Sequence, residues 1–377
     1  MFKQFLQKIL RKPITRLANR LSSAPVKKDV YESLDFVLKA LRSGNKTEGA
    51  VIPYGINTGR FIIFSDQHKG ARDAADDFTL AEKNYTSALD YYYNNGFTFI
   101  NLGDCEELWE NTPDKVMKAN KPVLQSETRF LLQNRYYRVF GNHDLEWKYP
   151  FQQALYLKPV FGNTLKIYEG IELQTQHNNK TYSIFLTHGH QGDKRSDGNP
   201  VSTWIVAAIW TPIQRFLDIN INTTSDSFEL VDAHNIMMYD WSATQQQLIF
   251  ISGHTHKPVF ASLDHIDLLT HQLNEAKLAA DEAGIKKIES QLALYEKEYQ
   301  GKKFIKSMAY PSYFNTGCCC FDDGDCTGIE IEDGNIRLVK WETTAAGSSA
   351  KKVLEESPLS YIFDQLPSET PANSVLP

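Results

Sequence analysis

FIIFSDQH, residues 61–68, sets an apolar run before a polar turn that ends in two metal-binding side chains, Asp66 and His68. A short apolar run bounded by turn residues reads as a buried strand, and α/β sheets place their chemistry just beyond the carboxyl ends of such strands. The same pattern recurs along the chain. FTFINLGD (97–104) ends in Asp104, YYRVFGNHD (136–144) carries Asn142, His143 and Asp144, YSIFLTHGH (182–190) carries His188 and His190, and QLIFISGHTH (247–256) carries His254 and His256. Gly103, Gly141 and Gly253 sit just before these donors, where glycine permits sharp turns and close backbone approach.

Asp66, His68, Asp104, Asn142, His188, His254 and His256 offer seven oxygen and nitrogen donors, too many for one ion of ordinary coordination number. They predict a pair of divalent cations. Carboxylate, amide oxygen and imidazole together suit first-row ions, with Mn placed first and Fe or Zn as alternatives, rather than Ca. Cys is absent from the set, which argues against a closed structural zinc site.

Composition fits an enzyme-sized scaffold. A chain of 377 residues with 42% hydrophobic content can bury one large core or two ordinary ones. A formal net charge of -6 gives no general nucleic-acid signature and leaves room for a local basic patch. Five cysteines do not make a disulfide framework, and Cys318, Cys319 and Cys320, consecutive in an apolar stretch, read as reduced thiols packed in a cytoplasmic core.

No stretch approaches the roughly 20 apolar residues of a membrane span. Residues 1–48 form a basic amino-terminal segment in which Phe2, Phe5, Leu6, Ile9 and Leu10 recur at helical spacing among lysines and arginines. Such a helix either makes peripheral contact with anionic lipid at the inner membrane face or packs or frays on the domain itself. Charges interrupt every candidate apolar core, so it does not read as a signal peptide.

The catalytic domain is expected over residues 49–345. Helical patterns between the first three strands give the βαβ rhythm of a mostly parallel sheet. SYFNTGCCCF, CTGIEIEDG and NIRLVKW read as an antiparallel set with a turn at Asp333 and Gly334. The predicted fold is α/β, two stacked mixed sheets flanked by helices, with helical insertions at about 196–243 and 264–303. The first insertion, holding Trp204 and Trp210, reads as packed decoration or a lid on an apolar substrate group. The second reads as a helical hairpin broken near Gly284, either decoration or a homodimer or docking element. Residues 346–377, rich in Ser, Pro and Glu, read as a flexible tail.

Taken in order, DxH, GDxxE, GNHD, HGH and GHTH resemble the calcineurin-like metallophosphoesterase superfamily, from Asp66 to His256. The resemblance implies that Asp66, His68 and His256 hold one metal and Asn142, His188 and His254 the other, with Asp104 bridging. It implies a phosphoester hydrolase in which a metal-bridging water or hydroxide attacks phosphorus. His143 would then stabilise the transition state or protonate the leaving oxygen, with Asp144 orienting its ring. His190 is a further substrate contact or a supporting partner. Lys69, Arg72, Lys194 and Arg195 could reach additional phosphate oxygens, or simply be solvated.

GDCEELW, with Glu107 and Trp109, is similar to the GDxxExW pattern of UDP-2,3-diacylglucosamine hydrolases, which implies an amphiphilic diphosphate substrate. His143 departs from that subfamily, which has Arg there. The remaining readings are a soluble phosphomonoester or phosphodiester, nucleotides included, and a non-catalytic scaffold on the same fold.

Overall fold

The computed structural model describes residues 25–44, 49–73, 76–162, 164–193, 228–262 and 310–367, with isolated positions between 273 and 289. The basic stretch 1–24, Lys194, Arg195, residues 196–227 of the first insertion and most of the second lie outside the described residues. Where the second insertion is described, Asp281 Oδ1 accepts from Gly284 N at 3.0 Å, as an N-cap does, and residues 284–286 are helical.

The elements, in order, are α1 (Lys27–Arg42), β1 (Gly49–Pro53), β2 (Phe61–Phe64), α2 (Glu82–Asn94), β3 (Thr98–Leu102), α3 (Pro113–Ala119), α4 (Lys121–Leu132) and β4 (Tyr136–Val139). A 3-10 turn (Leu145–Lys148) leads into an irregular helix over 150–161 that widens to π form at Gln153–Leu157. Then come β5 (Ile167–Tyr168), β6 (Gly170–His177), β7 (Lys180–Thr187), α5 (Phe228–Ser242), β8 (Leu248–Ser252), β9 (Tyr313–Asn315), β10 (Cys326–Glu332), β11 (Asn335–Thr343), β12 (Ser349–Pro358) and α6 (Leu359–Gln365).

Two mixed sheets stack face to face, one ordered β1-β6-β7-β8-β9 and the other β12-β11-β10-β2-β3-β4-β5. In the larger sheet β2, β3, β4 and β5 run parallel and β10 to β12 antiparallel. Ile63, Ile100 and Leu102 meet Ile171, Ile184, Leu186, Ile249 and Ile251 in the buried layer between the sheets. The opposite faces are covered by helices: Tyr85 and Phe130 pack on Phe64 and Phe99, and Leu34 and Trp241 pack on Phe185 and Phe250. Strands buried on both faces explain the unbroken apolar runs of the sequence.

Several boundaries differ from expectation. The domain begins before residue 49, because Val30, Leu34, Val37, Leu38 and Leu41 on one face of α1 are buried against the smaller sheet. The supposed loose tail from Ala346 instead forms β12 and α6, whose Leu359, Ile362 and Phe363 are buried in the inter-sheet core. Charged residues on this edge strand hid it in the sequence, as edge strands are commonly charged. Tyr313–Asn315 does not join β10 and β11 but pairs parallel with β8 in the other sheet. The β10–β11 hairpin turns at Asp333 and Gly334 as expected, with φ of 51° and 77°.

Candidate metal centre

The proposed donors converge at one rim because the strands that precede them lie side by side. β2, β3 and β4 are parallel neighbours, so Asp66, His68, Asp104, Asn142 and His143 leave the same edge. β7 and β8, parallel in the facing sheet, deliver His188, His254 and His256. Backbone bonds lock the loops together: Asp66 N donates to Gly103 O, His68 N to Asp104 O and Gly253 N to His188 O, at 2.9–3.0 Å.

The close approach depends on glycine at Gly141, where an added Cβ would come within 2.1 Å of Asp104 Oδ1. Asp66, His68, Asp104, His254 and His256 all adopt left-handed backbone, with φ between 49° and 69°. That conformation is uncommon for residues other than glycine and clusters at functional sites.

Asp104 stands between the two halves. Its Oδ2 lies 3.7 Å from His68 Nε2 and 3.1 Å from His188 Nε2. On one side His68 Nε2 faces His256 Nε2 at 3.1 Å, and Asp66 Oδ1 lies 3.3 Å from the same His256 nitrogen. On the other, His188 Nε2 faces Asn142 Oδ1 at 3.2 Å, with the His254 ring 5.3 Å from the His188 ring.

The donor set fits cations. His188 Nδ1 donates to Leu102 O at 2.9 Å, and His68 Nδ1 meets Glu107 Oε2 at 3.0 Å. Each bond fixes the tautomer that aims an Nε2 lone pair into the pocket. Lone pairs facing one another at hydrogen-bond distance need a positive charge between them. His254 Nε2 is buried with no hydrogen-bond partner, the condition of a ligand atom awaiting an ion.

Protonation of the rings can offset the same crowding of lone pairs. Burial disfavours charge on His188, yet the Asp104 and Asp66 carboxylates hold its pKa up to about 9. Burial likewise opposes charge on His256, and its bond to Asp66 raises it to about 10. Burial pushes Asp104 upward, but the His188 and His143 charges hold it well below the usual carboxylate range.

His143 belongs to the same cluster, its ring 4.5 Å from that of His68 and its amide donating to Asp104 Oδ1 at 2.8 Å. Its ring partner is not Asp144. Glu107 Oε2 accepts from His143 Nδ1 at 2.6 Å, and Trp109 stacks on the ring at 3.9 Å between centroids while donating Nε1 to Asn142 O. Asp144 points the other way, accepting from Gly141 N and Cys105 N and pairing with Arg138 at 3.4 Å. The spacing of Glu107 and Trp109 after Asp104 was the available signal for their place beside His143.

Lys69 is not a phosphate contact. It is fully buried, 2.9 Å from Glu127, which also accepts from Tyr85 and Tyr136, and 3.7 Å from Glu106. Glu106 in turn binds Arg138 and Trp147. This ionic layer lies beneath the metal loops. Arg72 pairs with Glu82 at 2.8 Å on the surface. His190 is buried beside His188, ring centroids 5.4 Å apart, and burial, reinforced by the charge of His188, lowers its pKa to about 3.

Two positions lay outside the sequence reading. His234 on α5 donates Nε2 to Gly189 O at 2.9 Å and sits 5.1 Å from the His254 ring, so the described end of the first insertion braces the site. Lys148 lies 5.7 Å over the Phe140 ring, which is itself 6.0 Å from the His190 ring. Neither belongs to a motif in the sequence.

Among the described residues, no helix is long and apolar enough to cross a membrane. A search of curated proteins finds no match. Among solved structures, vacuolar protein sorting 29 from Cryptosporidium parvum is 12% identical, aligned over 80% of this chain and 98% of that one, with a TM-score of 0.33. Vps29 from Entamoeba histolytica is also 12% identical, over 78% and 99%, with a TM-score of 0.27. A candidate 5'-nucleotidase from Staphylococcus aureus, solved with alpha-ketoglutarate, is 12% identical over 80% and 54%, with a TM-score of 0.31. The family model for calcineurin-like phosphoesterases matches residues 59–258, which takes in every loop of the metal rim described above. The chain belongs to the calcineurin-like phosphoesterase family.

Proposed function

We propose that the chain is a phosphoester hydrolase working with two divalent cations. The observation that carries this reading is the position of Asp104, with one carboxylate oxygen within 3.7 Å of His68 Nε2 and 3.1 Å of His188 Nε2. A carboxylate between two imidazole clusters offsets the repulsion of paired dications. Asp66, His68 and His256 would hold one ion, and Asn142, His188 and His254 the other. Two such ions supply Lewis acidity at the phosphoryl oxygens and a water of lowered pKa.

The remaining chemistry falls to the chain. His143, held through Nδ1 by Glu107, leaves Nε2 for the phosphoryl group or the departing oxygen, the position of a general acid. Burial opposes its charge, but the Glu107 and Asp104 carboxylates raise its pKa to about 9, so the ring carries a proton at neutral pH. Trp109 fixes the plane of the ring. Lys69 is buried away from any phosphate, and Lys148, whose charge reaches His190, is the cation this reading puts in its place.

The test is hydrolysis of p-nitrophenyl phosphate and its bis ester by metal-loaded protein, with bound metal measured alongside. Asp104→Asn should lose both activity and bound metal. Full activity in that variant would remove the bridging role, and with it this mechanism.

A further inference from the structure

A sixth loop reaches the metal rim. It follows β9 and carries Cys318, Cys319 and Cys320. Cys319 N donates to Asp66 O at 3.0 Å, and Thr316 N to Ser252 O at 2.9 Å, so this loop is stitched to the turns that bear Asp66 and His254. Cys318 and Cys319 are buried, whereas Cys320 is partly exposed. Its Sγ lies 4.0 Å from Nδ1 of His256. Donor atoms of His68, His256 and Cys320 all lie within 4.8 Å of one another.

We propose that Cys320 supplies a sulfur donor to the cation held by Asp66, His68 and His256. The inference rests on the metal-centre reading above. As the sulfur–metal bond forms, the thiol releases its proton to solvent, and no electrons are transferred. Sulfur makes the two halves of the centre unlike. The half with Cys320 favours Zn or Fe(II), while the half built from Asn142, His188 and His254 keeps the harder oxygen and nitrogen set.

The experiment strips the full-length protein of metal with a chelator and titrates it with Co(II). A near-ultraviolet sulfur-to-cobalt charge-transfer band is expected in wild type and in Cys318→Ser. Cys320→Ser should lose the band while still binding Co(II) through its remaining donors, with an unchanged circular dichroism spectrum. In parallel, iodoacetamide labelling of Cys320 should slow by about tenfold or more when metal is bound, because a coordinated sulfur is not a free nucleophile. Cobalt binding without the band in wild type, or a band that survives in Cys320→Ser, overturns the assignment of Cys320 alone. Absence of any Co(II) binding overturns the metal centre as well.

Discussion

Glu107 Oε2 lies 2.6 Å from Nδ1 of His143. The same oxygen is 3.0 Å from Nδ1 of His68. One carboxylate thus orients both a proposed metal donor and the proposed acid. Burial raises the pKa of Glu107, but the charge of His143 and bonds to both rings lower it to about 2, so it is ionised throughout the working range.

Glu107→Gln removes the charge that keeps His143 protonated. The pKa of His143 should fall from about 9, and the alkaline limb of the pH–rate profile should move to lower pH. A loss of kcat of about 100-fold is expected for an impaired acid. An unmoved limb would show that His143 does not donate the proton.

Lys69→Met leaves Glu127 and Glu106 buried without their cation. Breaking a buried pair from one side costs about 3–5 kcal/mol, to be read as a lower midpoint in urea at unchanged m-value. The charge lies in the floor of the site rather than at its mouth, so KM for a phosphomonoester should change little in the folded fraction.

Glu146 tests the electrostatics of the loop after His143. Burial, reinforced by the nearby Asp144 and Glu107 charges, pushes its pKa up from 4.5 to about 7, and its Oε2 has no hydrogen-bond partner. A folded pKa above the unfolded value contributes stability that is fully present below pH 4.5 and is lost as pH rises through about 7. Glu146→Gln should match wild type at pH 4 and exceed it at pH 8 by on the order of 1–3 kcal/mol, measured by chemical denaturation.

Lys148→Ala should raise KM for phosphoesters several-fold with little change in kcat, the pattern of lost uniform binding. Equal kinetics in the two proteins would place the lysine outside the substrate's reach.

The sequence made the rim legible because each donor stands at a fixed offset from an apolar run, and parallel strand order does the rest. The same local logic misled at Asp144 and Lys69. Adjacency to His143 says nothing about where a side chain points after a tight turn, and Lys69 is buried because Glu127, 58 positions away, awaits it. Likewise β12 escaped notice because strand identity at a sheet edge comes from its pairing with β11, not from an apolar pattern. His234 needed the same kind of information, since its partner Gly189 O is 45 residues distant.

The left-handed backbone at Asp66, His68, Asp104, His254 and His256 carries a consequence for stability. Each such residue costs about 1–3 kcal/mol relative to relaxed geometry, and glycine relieves that cost. Glycine at any of these positions would relax the backbone but remove a donor, and at Asp104 it would also leave the His143 amide without its acceptor. The strain is thus carried by the fold as the cost of holding these donors at the rim.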